Sequence, residues 1–137
     1  MKTLFVLVAV FFATMTMATA QKMEFETIEV NYGDIVKGTN GVREFKFKNT
    51  GAAPLIIESA QGSCGCTVPD YPREPIMPGE TKSVKVKYDT QRVGPFTKYV
   101  TLKSNSTENS EVRLTIRGNV QEEPAATPDK GKTLMGK

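Results

Sequence analysis

The chain reads as an all-β protein, a single antiparallel β-sandwich of about six or seven short strands between Met23 and Val120. Three observations lead there. Apolar residues recur at every second position in several stretches, the period of a half-buried strand. Turn-forming residues return about every 8 to 12 positions. No segment in this region carries the 3.6-residue period of an amphipathic helix. A chain of this size buries enough apolar surface to fold around one core without covalent staples.

The opening strand runs through Phe25, Ile28, Val30 and Tyr32, with its alternation slipping once near Glu26-Thr27, as a bulge or bend would make it. Gly33-Asp34 reads as a break, and Asn40-Gly41 carries the pair that favours a type I′ turn. Phe45 and Phe47 then alternate with Glu44, Lys46 and Lys48 as far as a second turn at Asn49-Thr50-Gly51. Leu55, Ile56 and Ile57 form a more fully buried strand that leads into Ser63-Cys64-Gly65-Cys66-Thr67-Val68-Pro69. Beyond it, Pro72, Pro75 and Pro78-Gly79 predict an irregular crossover, because proline has no N–H for a ladder. Val84, Val86 and Tyr88 make the next strand. Gly94-Pro95 turns the chain into a strand with Phe96, Lys98, Val100 and Leu102 on one face, and Val112, Leu114 and Ile116 close the set. The polar run Ser104 to Ser110 between the last two is a hairpin tip. It contains Asn105-Ser106-Thr107, a formal glycosylation sequon that matters only in a host with that machinery.

Outside this region the composition changes. Residues 1–20 form a signal peptide: Lys2 supplies the positive start, Leu4 to Phe12 the apolar centre, and Ala18-Thr19-Ala20 a small-residue cleavage site before Gln21. The expected mature domain is 21–120, exported to the periplasm or the medium, and no second long apolar run suggests a membrane span. Residues 121–137, polar and punctuated by Pro124 and Pro128, read as a disordered tail. Loss of Lys2 leaves 17 basic against 15 acidic side chains, a net charge of +2, too small to suggest nucleic acid as a partner. Lysines interspersed along strands, such as Lys46, Lys48, Lys85 and Lys87, mark a solvated face.

The chain has no histidine, which removes Ser-His-Asp and Cys-His catalysis and every His-containing zinc site. Glu24, Glu26 and Glu29 look outward from a strand and Glu122-Glu123 lies in the tail, so no carboxylate pair points to an acid–base enzyme and no cofactor is implied. What remains is Cys64 and Cys66, supported by Ser63, Gly65, Thr67 and Pro69. Two residues apart in an extended strand, their Cα atoms would lie about 6.5 to 7 Å apart, at the limit for a disulfide. Gly65, taking φ > 0 or a tight bend, would draw them together, and Pro69 keeps the segment from continuing as a central strand. Three readings stay open: a structural pair, which an oxidising compartment favours in its disulfide form; a redox-active dithiol; and a soft-metal clip for Cu(I) or Zn(II), where two thiolates suit Cu(I) better than a four-ligand zinc site and Met77 is the only other sulfur near in sequence. The structural pair leads.

Several motifs recur in the same order in a known family. Tyr32-Gly33-Asp34-Ile35-Val36-Lys37-Gly38, Phe45 to Gly51, Pro54-Leu55, Ser63 to Pro69, Pro78-Gly79-Glu80, Ser104-Asn105 and Ile116-Arg117-Gly118 resemble a bacterial family of exported proteins of unknown function whose signature is Cys-Gly-Cys-Thr. The framework is also similar to hydin-like and major-sperm-protein-like immunoglobulin folds. The resemblance implies a seven-stranded immunoglobulin-like sandwich and supplies no activity. The resulting expectation is a non-catalytic exported module for a protein partner, with thiol redox or Cu(I) handling at Cys64 and Cys66 as the alternative.

Overall fold

A computed structural model describes residues 20–124; most of the expected signal peptide (1–19) and most of the expected tail (125–137) lie outside the described residues. Eight strands follow in order: β1 Met23–Phe25, β2 Glu29–Val36, β3 Val42–Asn49, β4 Ile57–Gly62, β5 Thr67–Asp70, β6 Thr81–Tyr88, β7 Gly94–Ser104 and β8 Glu111–Gln121. They form two four-stranded sheets, ordered β1-β3-β6-β5 and β2-β8-β7-β4. All neighbours are antiparallel except β2 and β8, which run parallel. The sandwich is as expected, but its strands differ from the sequence reading in several places: Thr67–Asp70, expected as loop, is a strand, and the strand expected at Leu55–Ile57 begins only at Ile57 and runs to Gly62. The slip at Glu26-Thr27 is the bend of the two alternatives: the chain bends at Glu26 as it leaves β1 in one sheet for β2 in the other. Gly33, at φ 69°, does not end β2 but shifts its register between Asn31 and Asp34, and the strand continues to Val36.

Alternation decides what is buried. Phe45, Phe47, Val84, Val86 and Tyr88 from one sheet meet Val100, Leu102, Leu114, Ile116 and Val120 from the other, all at most 4% exposed. Tyr88 and Phe96 stack with ring centroids 3.8 Å apart, and Tyr32 meets Phe96 edge-on at 5.3 Å. The Tyr32 hydroxyl donates to the Gly41 carbonyl at 2.6 Å. Burial pushes the Tyr32 phenol from 10.0 up to about 12, against a smaller opposing pull from Arg43, whose guanidinium lies 4.1 Å over the ring.

Asn40-Gly41 does not form the type I′ turn its residues favour: Gly41 is not at positive φ, and β2 and β3 belong to opposite sheets with no ladder between them. Gly41 is needed for a different reason: a Cβ there would lie 2.1 Å from the Tyr88 carbonyl oxygen. Ile56 also departs from expectation. Leu55 and Ile57 are buried, but Ile56 between them is 41% exposed, since Leu55 bridges Ile76 in extended conformation and its neighbour faces out. Asn49, at the end of β3, is fully buried. Its amide donates to the Ala53 and Ile76 carbonyls at 2.8 and 2.9 Å and its Oδ1 accepts from Gly51 N–H at 3.0 Å, fastening the turn after β3 to the crossover before β6.

The outer strands are blunted by local chemistry. On β2, the Thr27 hydroxyl donates to the Glu29 carbonyl at 2.9 Å and accepts the Glu29 N–H at 3.3 Å. On the part of β3 beyond the reach of β1, Asn40 Oδ1 takes the Val42 N–H and Arg43 Nη1 donates to the Val42 carbonyl. On β5, Asp89 N–H donates to the Cys66 carbonyl, so ladder alternation turns residues 67 and 69 away from β6, and residue 69 is a proline with no donor to expose. β4 carries a register shift between Ile57 and Ser59, and the Tyr71 hydroxyl leans on the Glu58 carbonyl.

Candidate functional site

β4 is the last strand of one sheet and β5 the last strand of the other, so the segment from Gly62 to Thr67 rounds a flank of the sandwich. Ser63 fixes its start: Ser63 N–H donates to the Tyr99 carbonyl at 2.8 Å and Ser63 Oγ accepts Tyr99 N–H at 3.1 Å, prolonging the β4–β7 ladder by one residue. The chain then turns, with Thr67 N–H donating to the Cys64 carbonyl at 3.2 Å. This turn shortens the Cys64–Cys66 Cα separation to 5.3 Å, inside the disulfide range, and the two sulfurs are bonded.

The two cysteines sit in different surroundings. Cys66 is 5% exposed and belongs to the hydrophobic core, while Cys64 is half-buried at its margin. Thr67, 2% exposed, places its hydroxyl 3.7 Å from each sulfur. Pro69 lies in β5, an outer strand, as a proline requires. Gly65 is exposed at the apex and does not adopt positive φ; a Cβ there would meet nothing within 4 Å. The bend is therefore made without glycine's special freedom at 65. The glycine this corner needs is Gly62, where a Cβ would lie 2.1 Å from the Thr67 carbonyl oxygen and 3.2 Å from that of Cys64. Sequence reasoning passed over Gly62 because the approach that demands it comes from a residue five positions later, folded back across the corner.

Among the described residues no group of three or more His, Cys, Asp or Glu side chains converges as a metal site. Met77 does not join the cysteines. It follows Ile76, whose bridge to Leu55 lies near the start of β4, whereas the cysteines follow its end, about 20 Å away at strand rise. Lys46, Lys48, Lys85 and Lys87 are exposed on the outer face of the β3–β6 pair, where Lys85 meets Glu44 at 3.8 Å. Asn105 is committed to structure: its Oδ1 accepts Ile56 N–H at 2.8 Å and its Nδ2 donates to the Pro54 carbonyl at 3.3 Å, so a glycan on that nitrogen would break the contact. No described helix is long and apolar enough to cross a membrane.

Two sheets packed around one core, with the chain crossing between sheets at both flanks, form an immunoglobulin-like β-sandwich. The chain belongs to the family described as Protein of unknown function (DUF1573), whose pattern matches residues 23–120. No curated protein matches the sequence. Among solved structures, a protein of unknown function from Porphyromonas gingivalis W83 is similar at 18% identity and TM-score 0.67, over 79% of this chain and 50% of that one; this chain thus spans half the length of that protein. The ASH/PapD-like domain 7 of human CEP192 is similar at 10% identity and TM-score 0.59, over 81% and 93%. The CsuC–CsuE chaperone–tip adhesion subunit complex of Acinetobacter baumannii gives 9% identity and TM-score 0.51, over 81% and 63%. At these identities the likeness shows the fold.

Proposed function

We propose that this chain is an exported, non-catalytic immunoglobulin-like binding module that engages a protein partner. The observation that carries the reading is a hollow of about 450 Å³ where the chain crosses from β1 to β2, with Met23, Phe25, Ile28 and Val112 contributing apolar surface and Lys22, Glu24, Glu111 and Arg113 around them. Ile28 is 53% exposed there, whereas Met23 and Phe25 of β1 pack into or against the core. An apolar centre with a charged rim is the anatomy of a protein contact. The PapD-like neighbours support the reading to the extent that one of them is a chaperone seated on a subunit. Capped strand edges favour recognition by side chains over addition of a partner strand.

The test is a photo-crosslinking residue placed at Ile28, with Lys85 on the β3–β6 face as control, in cells that make the protein. A discrete adduct to one protein is expected from position 28 and lost in an Ile28 crosslinker chain that also carries Val112→Asp. Equal labelling from 28 and 85, or none from 28, would reject this face as the binding surface.

A further inference from the structure

The corner at Cys64 and Cys66 is built asymmetrically, and the asymmetry assigns different work to the two sulfurs. Thiol–disulfide exchange needs a thiolate to reach one sulfur while the other departs. Cys66 is 5% exposed and packed within the core, so its sulfur is screened. Cys64 is half-buried beside Gly65, which is exposed and has open space where a side chain would stand. A thiol arriving from solvent therefore meets Cys64 first. Thr67, whose hydroxyl is 3.7 Å from both sulfurs, is placed to donate to whichever sulfur carries negative charge.

We propose that the Cys64–Cys66 bridge is an exchangeable two-electron acceptor in which Cys64 is the sulfur attacked and Cys66 the sulfur released. This goes beyond the binding reading, which requires no chemistry at the bridge. A thiolate of a small monothiol such as glutathione attacks Cys64 Sγ; the S–S bond breaks, a mixed disulfide forms on Cys64, and Cys66 leaves as a thiolate that takes a proton from water. Two fates follow. Cys66, two residues away, can return to Cys64 Sγ and expel the incoming thiol, restoring the bridge. Alternatively a second thiolate attacks the bound thiol's sulfur and releases Cys64 as a thiolate, leaving both cysteines reduced and one disulfide of the monothiol. The bridge is consumed once per chain unless reoxidised, so the reaction is stoichiometric and compatible with a module that is not an enzyme.

The assignment is tested with single-cysteine chains and oxidised glutathione, read by intact mass. Cys66→Ser should acquire one glutathione at Cys64 in the folded state. Cys64→Ser should be modified at Cys66 more slowly, by about 100-fold, because that thiol is reached only on local opening, and should match Cys66→Ser in denaturant. Thr67→Val should slow reduction of the native bridge by reduced glutathione about 10-fold, with Thr67→Ser restoring it. Urea titration verifies that each variant is folded. Should a variant unfold, the wild-type chain quenched with acid during glutathione reduction and mapped by peptide mass gives the same answer, with the mixed disulfide on Cys64. Equal rates for the two single-cysteine chains, adducts on Cys66, or a wild-type bridge reduced only as fast as the whole domain unfolds would overturn the proposal.

Discussion

Gly62 and Gly65 flank the same corner and should respond oppositely to alanine. A methyl group at 62 would lie 2.1 Å from the Thr67 carbonyl oxygen, 3.1 Å from its carbon and 3.2 Å from the Cys64 oxygen. Relief requires a backbone shift of more than 1 Å, taking a contact of about 2.1 Å to beyond 3.4 Å. That shift must come either from the β4–β7 ladder, including the paired bonds of Ser63 with Tyr99, or from the turn closed by Thr67 N–H on Cys64. Two hydrogen bonds at about 1 kcal/mol each, with overpacking of about 1 to 3 kcal/mol, put Gly62→Ala at a loss of about 3 to 5 kcal/mol. Gly65→Ala meets open space without positive φ, so it should be neutral or should stabilise by about 0.4 to 1 kcal/mol through the unfolded chain. Urea titration of both variants, with the bridge verified by mass and equal slopes, measures the difference. A Gly62→Ala midpoint within about 0.5 kcal/mol of wild type, or Gly65→Ala as damaging as Gly62→Ala, would show that the corner is not packed this way.

Further tests address the core, the titrating tyrosine and the leader. Val86→Ala, at a site with no exposure, should cost about 2 to 5 kcal/mol, whereas Lys85→Ala, one residue away on the outer face, should cost under about 0.5 kcal/mol; similar losses in denaturant titration would contradict the register of β6. Tyr32 is an acid whose folded pKa is raised, so its contribution is fully present below about pH 10 and is lost as pH rises toward about 12. Tyr32→Phe should flatten the fall of stability over that window, with a residual slope from Tyr88, which burial also raises; an unchanged alkaline profile would argue that Tyr32 ionises freely. N-terminal sequencing of the protein recovered outside the cytoplasm should begin at Gln21, and an intact Met1 would remove the argument for an oxidising compartment.

The fold was legible because burial and alternation coincide: Phe45, Phe47, Val84, Val86, Val100, Leu102, Leu114 and Ile116 each follow the two-residue period and each is buried. Period alone does not say which sheet a strand joins. β1 and β2 therefore read as one interrupted strand, and Asn40-Gly41 read as a type I′ turn although the strands on either side of it never pair. Ile56 looked buried because an apolar run of three hides the alternation that one bridge to Ile76 imposes. At the site, Cys64, Cys66, Thr67 and Pro69 were visible from residue type, whereas the edge strand Thr67–Asp70 that carries two of them was read as loop, because Pro69 and the prolines after it mask a strand of four residues. The difference in burial between the cysteines, the Thr67 hydroxyl between them and the need for Gly62 arise from contacts across the corner, which local sequence does not encode.

The parallel pairing of β2 with β8 has a mechanical consequence. Gln21 is tied at the β7–β8 tip, where its carbonyl accepts from Thr107 N–H and from the Ser106 and Thr107 hydroxyls, while β8 carries the chain to Gln121 at the other end, about 33 Å away at strand rise. The two ends of the domain thus leave from opposite poles. Tension between them pulls along β8 and loads the bonds to β2 and β7 side by side, in shear, so that they fail together; an unzipping pull would break them one at a time. Stretched between two anchored partners, the sandwich should hold its length until the β8 ladders yield as a unit. Single-molecule pulling through residues 21 and 121 should show one rupture at higher force than pulling across the β7–β8 tip, and a lower force along the chain axis would refute this geometry.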